Sequence, residues 1–152
     1  MTTTIQAFLA ESTQKASTDI LAVLLRLPED KRNWSPGGTA RTALDIVAEC
    51  ALNNRYGADL IKTHKWTMND QDAYRQEKAD LVASGLESLE KLLEENTKYL
   101  IEAIEGVADD QLDVEVPTPF GNGPLSGIMR YPYWNMSYHE GQLNSIDMLL
   151  GN

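Results

Sequence analysis

The chain has 152 residues, 42% of them hydrophobic, and a formal net charge of -10. That length is enough for one domain with a real core. The charge repels phosphate backbones, so nucleic acid is excluded as a partner on electrostatic grounds. No apolar run approaches the roughly 20 residues of a membrane span, and the opening MTTTIQAFLAEST lacks the basic start and apolar block of a signal peptide. A cytoplasmic protein is therefore expected. The single cysteine, Cys50, fits a reducing compartment and rules out an internal disulfide framework.

Thr2 to Leu27 reads as a first helix. Ile5, Phe8 or Leu9, Ala16, Ile20, Val23 or Leu24, and Leu27 trace its apolar stripe, and Pro28 stops it. Pro28 to Ala40 is a connection with turn chemistry at Ser35-Pro36-Gly37-Gly38, and Trp34 within it is expected to plug one end of the core. A second helix, capped by Thr39 or Thr42, runs to about His64, whose side chain is placed to meet the last carbonyls. One of its faces carries Ile46, Glu49, Asn53, Tyr56 and Leu60, and another carries Ala43, Val47, Cys50, Asn54, Ala58 and Ile61. A helix with two semi-apolar faces belongs inside a bundle or at a dimer contact.

Lys65 to Asp80 is polar and mixed, either a long loop with short helical pieces or the lead-in to a third helix. That helix is expected over Lys78 to Val107 on the period of Leu81, Leu86, Leu89, Leu92, Leu93, Leu100, Ile101 and Ile104, with Gly85 as a weak point. Leu112, Val114 and Val116 then alternate with acidic residues, as in an extended arm. The last helix spans Pro124 to Leu150. Pro124 is expected as its first residue, and Pro132 is expected to kink or split it. The expected class is all-α: a four-helix bundle with long crossover loops, residues 1–152 forming a single domain.

The last helix lines up Asn135, His139 and Gln142 on the face that its apolar residues turn toward the core. Asn135 and His139 stand at the i,i+4 spacing on which two ligands of one metal are mounted, and Glu49 of the second helix can supply a carboxylate from across the core. Glu49, Asn135 and His139 are thus candidate metal ligands, with Asn53 and Gln142 behind them as orienting or ligand-contacting groups. The competing reading is a buried Glu49–His139 hydrogen-bonded pair with no metal. Cys50, next to an acidic residue, reads as a small buried apolar residue, not a nucleophile. The formal glycosylation triplet Asn135-Met136-Ser137 lies within the helix and is discounted.

Three segments resemble the DinB/YfiT-like superfamily of four-helix bundles. They are Trp34-Ser35-Pro36-Gly37-Gly38 before the second helix, Thr42-Ala43-Leu44-Asp45-Ile46-Val47-Ala48-Glu49-Cys50 within it, and His139-Glu140-Gly141-Gln142 in the last. The resemblance implies a three-histidine metal site whose members fall on Glu49, Asn135 and His139, only the last of which is histidine here. It also implies a zinc or nickel ion, a homodimer and, in some branches, transfer of a low-molecular-weight thiol. Three functions follow as expectations. One is a metal-dependent hydrolase or thiol transferase. Another is a metal-free module that binds a small molecule in the cleft near Tyr56, Tyr131, Trp134 and Tyr138. The third is a structural dimeric bundle without catalysis.

Overall fold

The structure is a computed structural model that describes residues 2–151. Five helices carry it: α1 (Ile5–Arg26), α2 (Ala43–Thr63), α3 (Gln71–Ala83), α4 (Leu86–Glu105) and α5 (Leu125–Leu149). Around the four-helix ring α1 neighbours α5 and α4, and α2 neighbours α4 and α5, so the second and last helices pack side by side. The remaining helix, α3, lies outside the ring against α2.

The helix starts are set by local side chains. Thr4 Oγ1 accepts from the Ala7 amide at 3.1 Å, Thr42 Oγ1 from Asp45 at 3.2 Å, and Asp70 Oδ1 from Asp72 and Ala73 at 3.0 and 2.9 Å. At the end of α2 His64 takes a left-handed conformation, φ 55°, and its amide closes on the Leu60 carbonyl at 2.8 Å.

One expectation is corrected and two open readings are narrowed. The single helix expected over Lys78 to Val107 is two helices. The chain turns at Ser84-Gly85, where Gly85 sits at φ 97°, a conformation that costs other residues the clash of a Cβ. The polar stretch before it is helical from Gln71, capped by Asp70. It carries no fully buried residue, so no apolar period announces it. Pro132 does not split the last helix, which is continuous from Leu125 to Leu149 with Pro124 as its cap. The ring of Pro132 is buried against Gly57 of α2, where even a β-carbon would come within 3.1 Å of it.

The extended arm is short. Glu115–Val116 (β1) pairs antiparallel with Gly123–Pro124 (β2), and only Val116 is drawn into the core.

The core falls into two apolar clusters. One gathers Ile20, Leu24, Val47, Leu93, Met136 and Leu143, with Trp34 packed on it from the loop, as expected. The other gathers Leu9, Ala58, Ile61, Leu100, Ile104 and Met129. Between them each ring helix contributes polar side chains: Thr13 and Ser17, Asn54, Asn96 and Thr97, and Asn135.

Candidate functional site

The site forms where α2 and α5 run together. His139 is 6% exposed, and its two ring nitrogens each face an oxygen: Nε2 lies 3.0 Å from Glu49 Oε1 and Nδ1 lies 2.6 Å from Gln142 Oε1. Only the imidazolium donates at both nitrogens. A half-turn of the Gln142 amide instead offers an N–H to the neutral ring, whose remaining proton then goes to Glu49. In both of these states Nε2 donates, whereas the neutral tautomer that donates Nδ1–H to Gln142 Oε1 leaves the Nε2 lone pair facing Glu49. The expected Glu49–His139 pairing is therefore present, and Gln142 orients the ring.

Glu49 has a second partner. The guanidinium of Arg41, from the loop just before α2, reaches its other oxygen at 2.7 Å. Arg41 also contacts Asp45 at 2.5 Å, and Lys78 of α3 reaches Asp45 at 3.0 Å. The result is a chain of alternating charge, Lys78–Asp45–Arg41–Glu49, that ends on the ring of His139. Burial pushes the Glu49 carboxyl up, but the His139 hydrogen bond and the Arg41 charge outweigh it and hold the carboxyl below its ordinary range. Burial opposes ionisation of Asp45 too, and Lys78 and Arg41 likewise bring it down. The Cys50 thiol is fully buried, and burial, then Glu49, push its pKa far up. It is inert, as expected.

Asn135 is buried but does not join the pair. Its amide nitrogen is directed to Cys50 Sγ at 4.0 Å, a weak contact. Asn53 accepts from the Tyr74 hydroxyl at 3.2 Å and faces a pocket.

That pocket has a volume of about 560 Å³ and opens beside Glu49. The α2 face Glu49–Asn53–Tyr56–Leu60 forms one wall, and Ile128, Tyr131 and Pro132 of α5 form another. The 64–74 segment roofs it with Trp66, Met68, Gln71 and Tyr74, and Thr118 and Phe120 reach in from the loop before β2. The two faces of α2 are thus both used within the chain, one against the core and one on the pocket, so they need no dimer to explain them. Of the four aromatics expected at the cleft, Tyr56 and Tyr131 line it. Trp134 and Tyr138 point away, stacked 5.5 Å apart on the outer face of α5, each about half exposed.

The donor set does not fit the expected zinc or nickel ion. A metal on His139 Nε2 would have to displace the direct contact that this nitrogen makes with Glu49 at 3.0 Å. It would also meet the fixed positive charge of Arg41 on the same carboxylate. The third member is a neutral amide, a poor ligand for these ions. Among the described residues no group of three or more His, Cys, Asp or Glu side chains is placed to hold a metal.

The bundle matches solved structures closely in shape and distantly in sequence. A crystal structure of the mycothiol-dependent maleylpyruvate isomerase superposes with a TM-score of 0.77 at 17% identity, and a mutant of the same enzyme with 0.76 at 18%. In each case 93% of this chain is covered and 63% of the isomerase chain, so the protein spans less than two thirds of that enzyme's length. A DinB-like protein from Bacillus subtilis superposes with a TM-score of 0.67 at 14% identity, covering 95% of this chain and 92% of that one. The fold is DinB-like. No family model matches the sequence, and no curated protein does. Within this DinB-like bundle, among the described residues, no helix is long and apolar enough to cross a membrane.

Arg41, Lys78, Trp66, Tyr74 and Phe120 are the members of the site that the sequence did not reveal. Arg41 left one signal: Arg41, Asp45 and Glu49 stand four residues apart, the spacing of a charged row on one helical face. The others sit on loops or on a helix without apolar period, where spacing carries no information about the pocket.

Proposed function

We propose that the protein is a metal-free module that binds a small, largely apolar molecule in the pocket between α2 and α5. The observation that carries this reading is Arg41 on Glu49 at 2.7 Å beside an open pocket of about 560 Å³. The guanidinium supplies the positive charge that a metal would otherwise bring, and the carboxylate and imidazole are held as a rigid polar floor. The pocket volume lies within the roughly 300–1,000 Å³ common for small-molecule sites, with mostly apolar walls and a few polar groups at one end.

His139 is not poised as a general base on this reading. Both of its nitrogens are engaged inside the protein, and neither Cys50 nor any nearby hydroxyl is activated by it. Hydrolysis and thiol transfer therefore find less support than binding. The exposed pair Trp134 and Tyr138 is the surface on which we would place a homodimer contact, since aromatic side chains are enriched at interfaces.

Two measurements test the proposal. N-phenyl-1-naphthylamine, a neutral apolar fluorophore, should bind saturably to the wild type and not to Ile128→Trp, which fills the pocket from α5. Equal melting temperatures would show that the variant is folded. Elemental analysis of untagged wild type beside His139→Ala should find no stoichiometric zinc or nickel in either. Fluorophore binding unaffected by Ile128→Trp would dispose of the pocket, and near-stoichiometric metal lost in His139→Ala would dispose of the metal-free network.

A further inference from the structure

The chemistry of the pocket walls narrows the ligand, provided the binding reading above holds. Two pairs of aromatic rings meet at steep angles in the lining. Tyr56 and Tyr74 lie 6.0 Å apart with planes at 60°, and Trp66 and Phe120 lie 5.8 Å apart with planes at 88°. Rings set edge to face make corners, so a bound group can meet π-faces in more than one direction. Tyr131 adds a fifth ring on the α5 side. Aromatic faces carry negative potential and attract cations within about 6 Å of the ring centre. Tyr56 already does so: the Arg55 guanidinium lies 4.6 Å from its centroid.

The charges agree. The only ionisable acid or base in the lining, the tyrosine hydroxyls aside, is the Glu49 carboxylate, and no lysine or arginine is among the described lining residues. Glu49 Oε1 and Oε2 each hold one partner, His139 and Arg41, and an ionised carboxylate has about four acceptor positions. Lone pairs remain for a donor in the pocket. Arg41, which pairs with Glu49, and Arg55, which sits on Tyr56, are not among the described lining residues, so the lining itself offers an anionic ligand no cation. The formal net charge of -10 adds a long-range field that concentrates cations near the surface.

We infer that the pocket selects an organic ammonium ion with an apolar body, the cationic head caged by Tyr56, Tyr74 and Tyr131 on the Glu49 side and the body lying along Ile128 and Pro132. No bond is made or broken on binding, and the selectivity comes from ring faces and one carboxylate.

The test compares benzyltrimethylammonium with its uncharged carbon isostere, neopentylbenzene, by displacement of N-phenyl-1-naphthylamine from the full-length protein. The cation should displace the fluorophore at a concentration at least about tenfold lower than the isostere, the scale of one desolvated cation–π contact. Tyr74→Leu and Tyr56→Leu, checked for folding by thermal melting, should each narrow that ratio while leaving the isostere within about twofold, since leucine keeps the apolar surface. If the isostere displaces as well as or better than the cation, the pocket takes neutral apolar molecules and the cation inference is wrong, although the binding proposal survives. If the wild type does not bind the fluorophore at all, the binding proposal fails and this inference fails with it.

Discussion

Ser17, Asn54 and Thr97 meet in the middle of the bundle, and Arg41, Glu49 and His139 meet at its side, one helical turn or so away along α2. Both groups are polar and largely removed from water, yet they are built differently. The central group is neutral. Ser17 and Thr97 hydroxyls lie 3.0 Å apart, and the Asn54 amide donates to Thr97 at 3.0 Å and to Met136 sulfur at 3.5 Å. It is fully enclosed between the two apolar clusters, and Asn54 Oδ1 and Thr13 Oγ1 have no protein partner there. The lateral group is charged and opens on the pocket, and its charges are paired in alternation from Lys78 to Glu49, with the His139 ring hydrogen-bonded at the end. A neutral hydroxyl or amide left short of one hydrogen bond costs a few kcal/mol at most, so a core tolerates it. An uncompensated buried charge costs more, so each charge here has an opposite neighbour.

The sharpest way to break this contrast is to remove one charge. Glu49→Ala leaves the Arg41 guanidinium without one of its two carboxylates and His139 Nε2 without its acceptor. A loss of about 3 kcal/mol is expected, near the low end for breaking a buried pair because Glu49 keeps some exposure. Urea denaturation of the variant beside the wild type measures it, and a change below about 1 kcal/mol, the scale of an exposed pair, would show that solvent already screens the network.

Thr97→Val tests the neutral group. It removes the shared partner of Ser17 and Asn54 at nearly constant volume, and about 2 kcal/mol of destabilisation is expected from the donors left buried. Adding Asn54→Leu should then cost less than it does alone, because with Thr97 gone there is less left to lose. A double-mutant cycle on thermal unfolding reads this coupling, and strict additivity would mean that the two side chains do not interact.

The smallest expected effect is on pH dependence, and only the charged group should show it. Glu49 has an ordinary value of 4.5 and Asp45 of 3.8, and both are held lower in the folded protein. A depressed carboxyl contributes stability that is fully present above its unfolded value and is lost as pH falls through the folded value. Wild-type stability should therefore decline as pH falls below about 4.5, and Glu49→Gln should decline less steeply over the same range. Thr97→Val should parallel the wild type over that range. Parallel curves for Glu49→Gln and wild type would place the acid-sensitive interactions elsewhere.

Much of the site was legible where it sits on periodic helices. Glu49 falls in line with Asn53 and Tyr56, and His139 in line with Asn135 and Gln142, because residues three and four apart share a helical face. The apolar residues on α2 and α5 fix which face turns inward, so the pairing of Glu49 with His139 could be expected. Arg41 precedes its helix, Lys78 lies on a helix with no fully buried residue, and Trp66 and Phe120 lie on loops. None of them belongs to an apolar period, and their positions depend on how the connections fold over the bundle.

Four long apolar periods and the stop at Pro28 were readable from the residues alone, and with them a helical bundle, because burial of a stripe every 3.6 residues is a local property of the chain. The sequence did not determine that Gly85 starts a new helix, that Pro132 passes through α5 by packing on Gly57, or that Arg41 takes the second oxygen of Glu49. Those outcomes depend on which helices become neighbours. The Glu49 carboxylate accepts from a metal, a guanidinium or an imidazole alike, and only the tertiary structure decides which of them arrives within bonding distance.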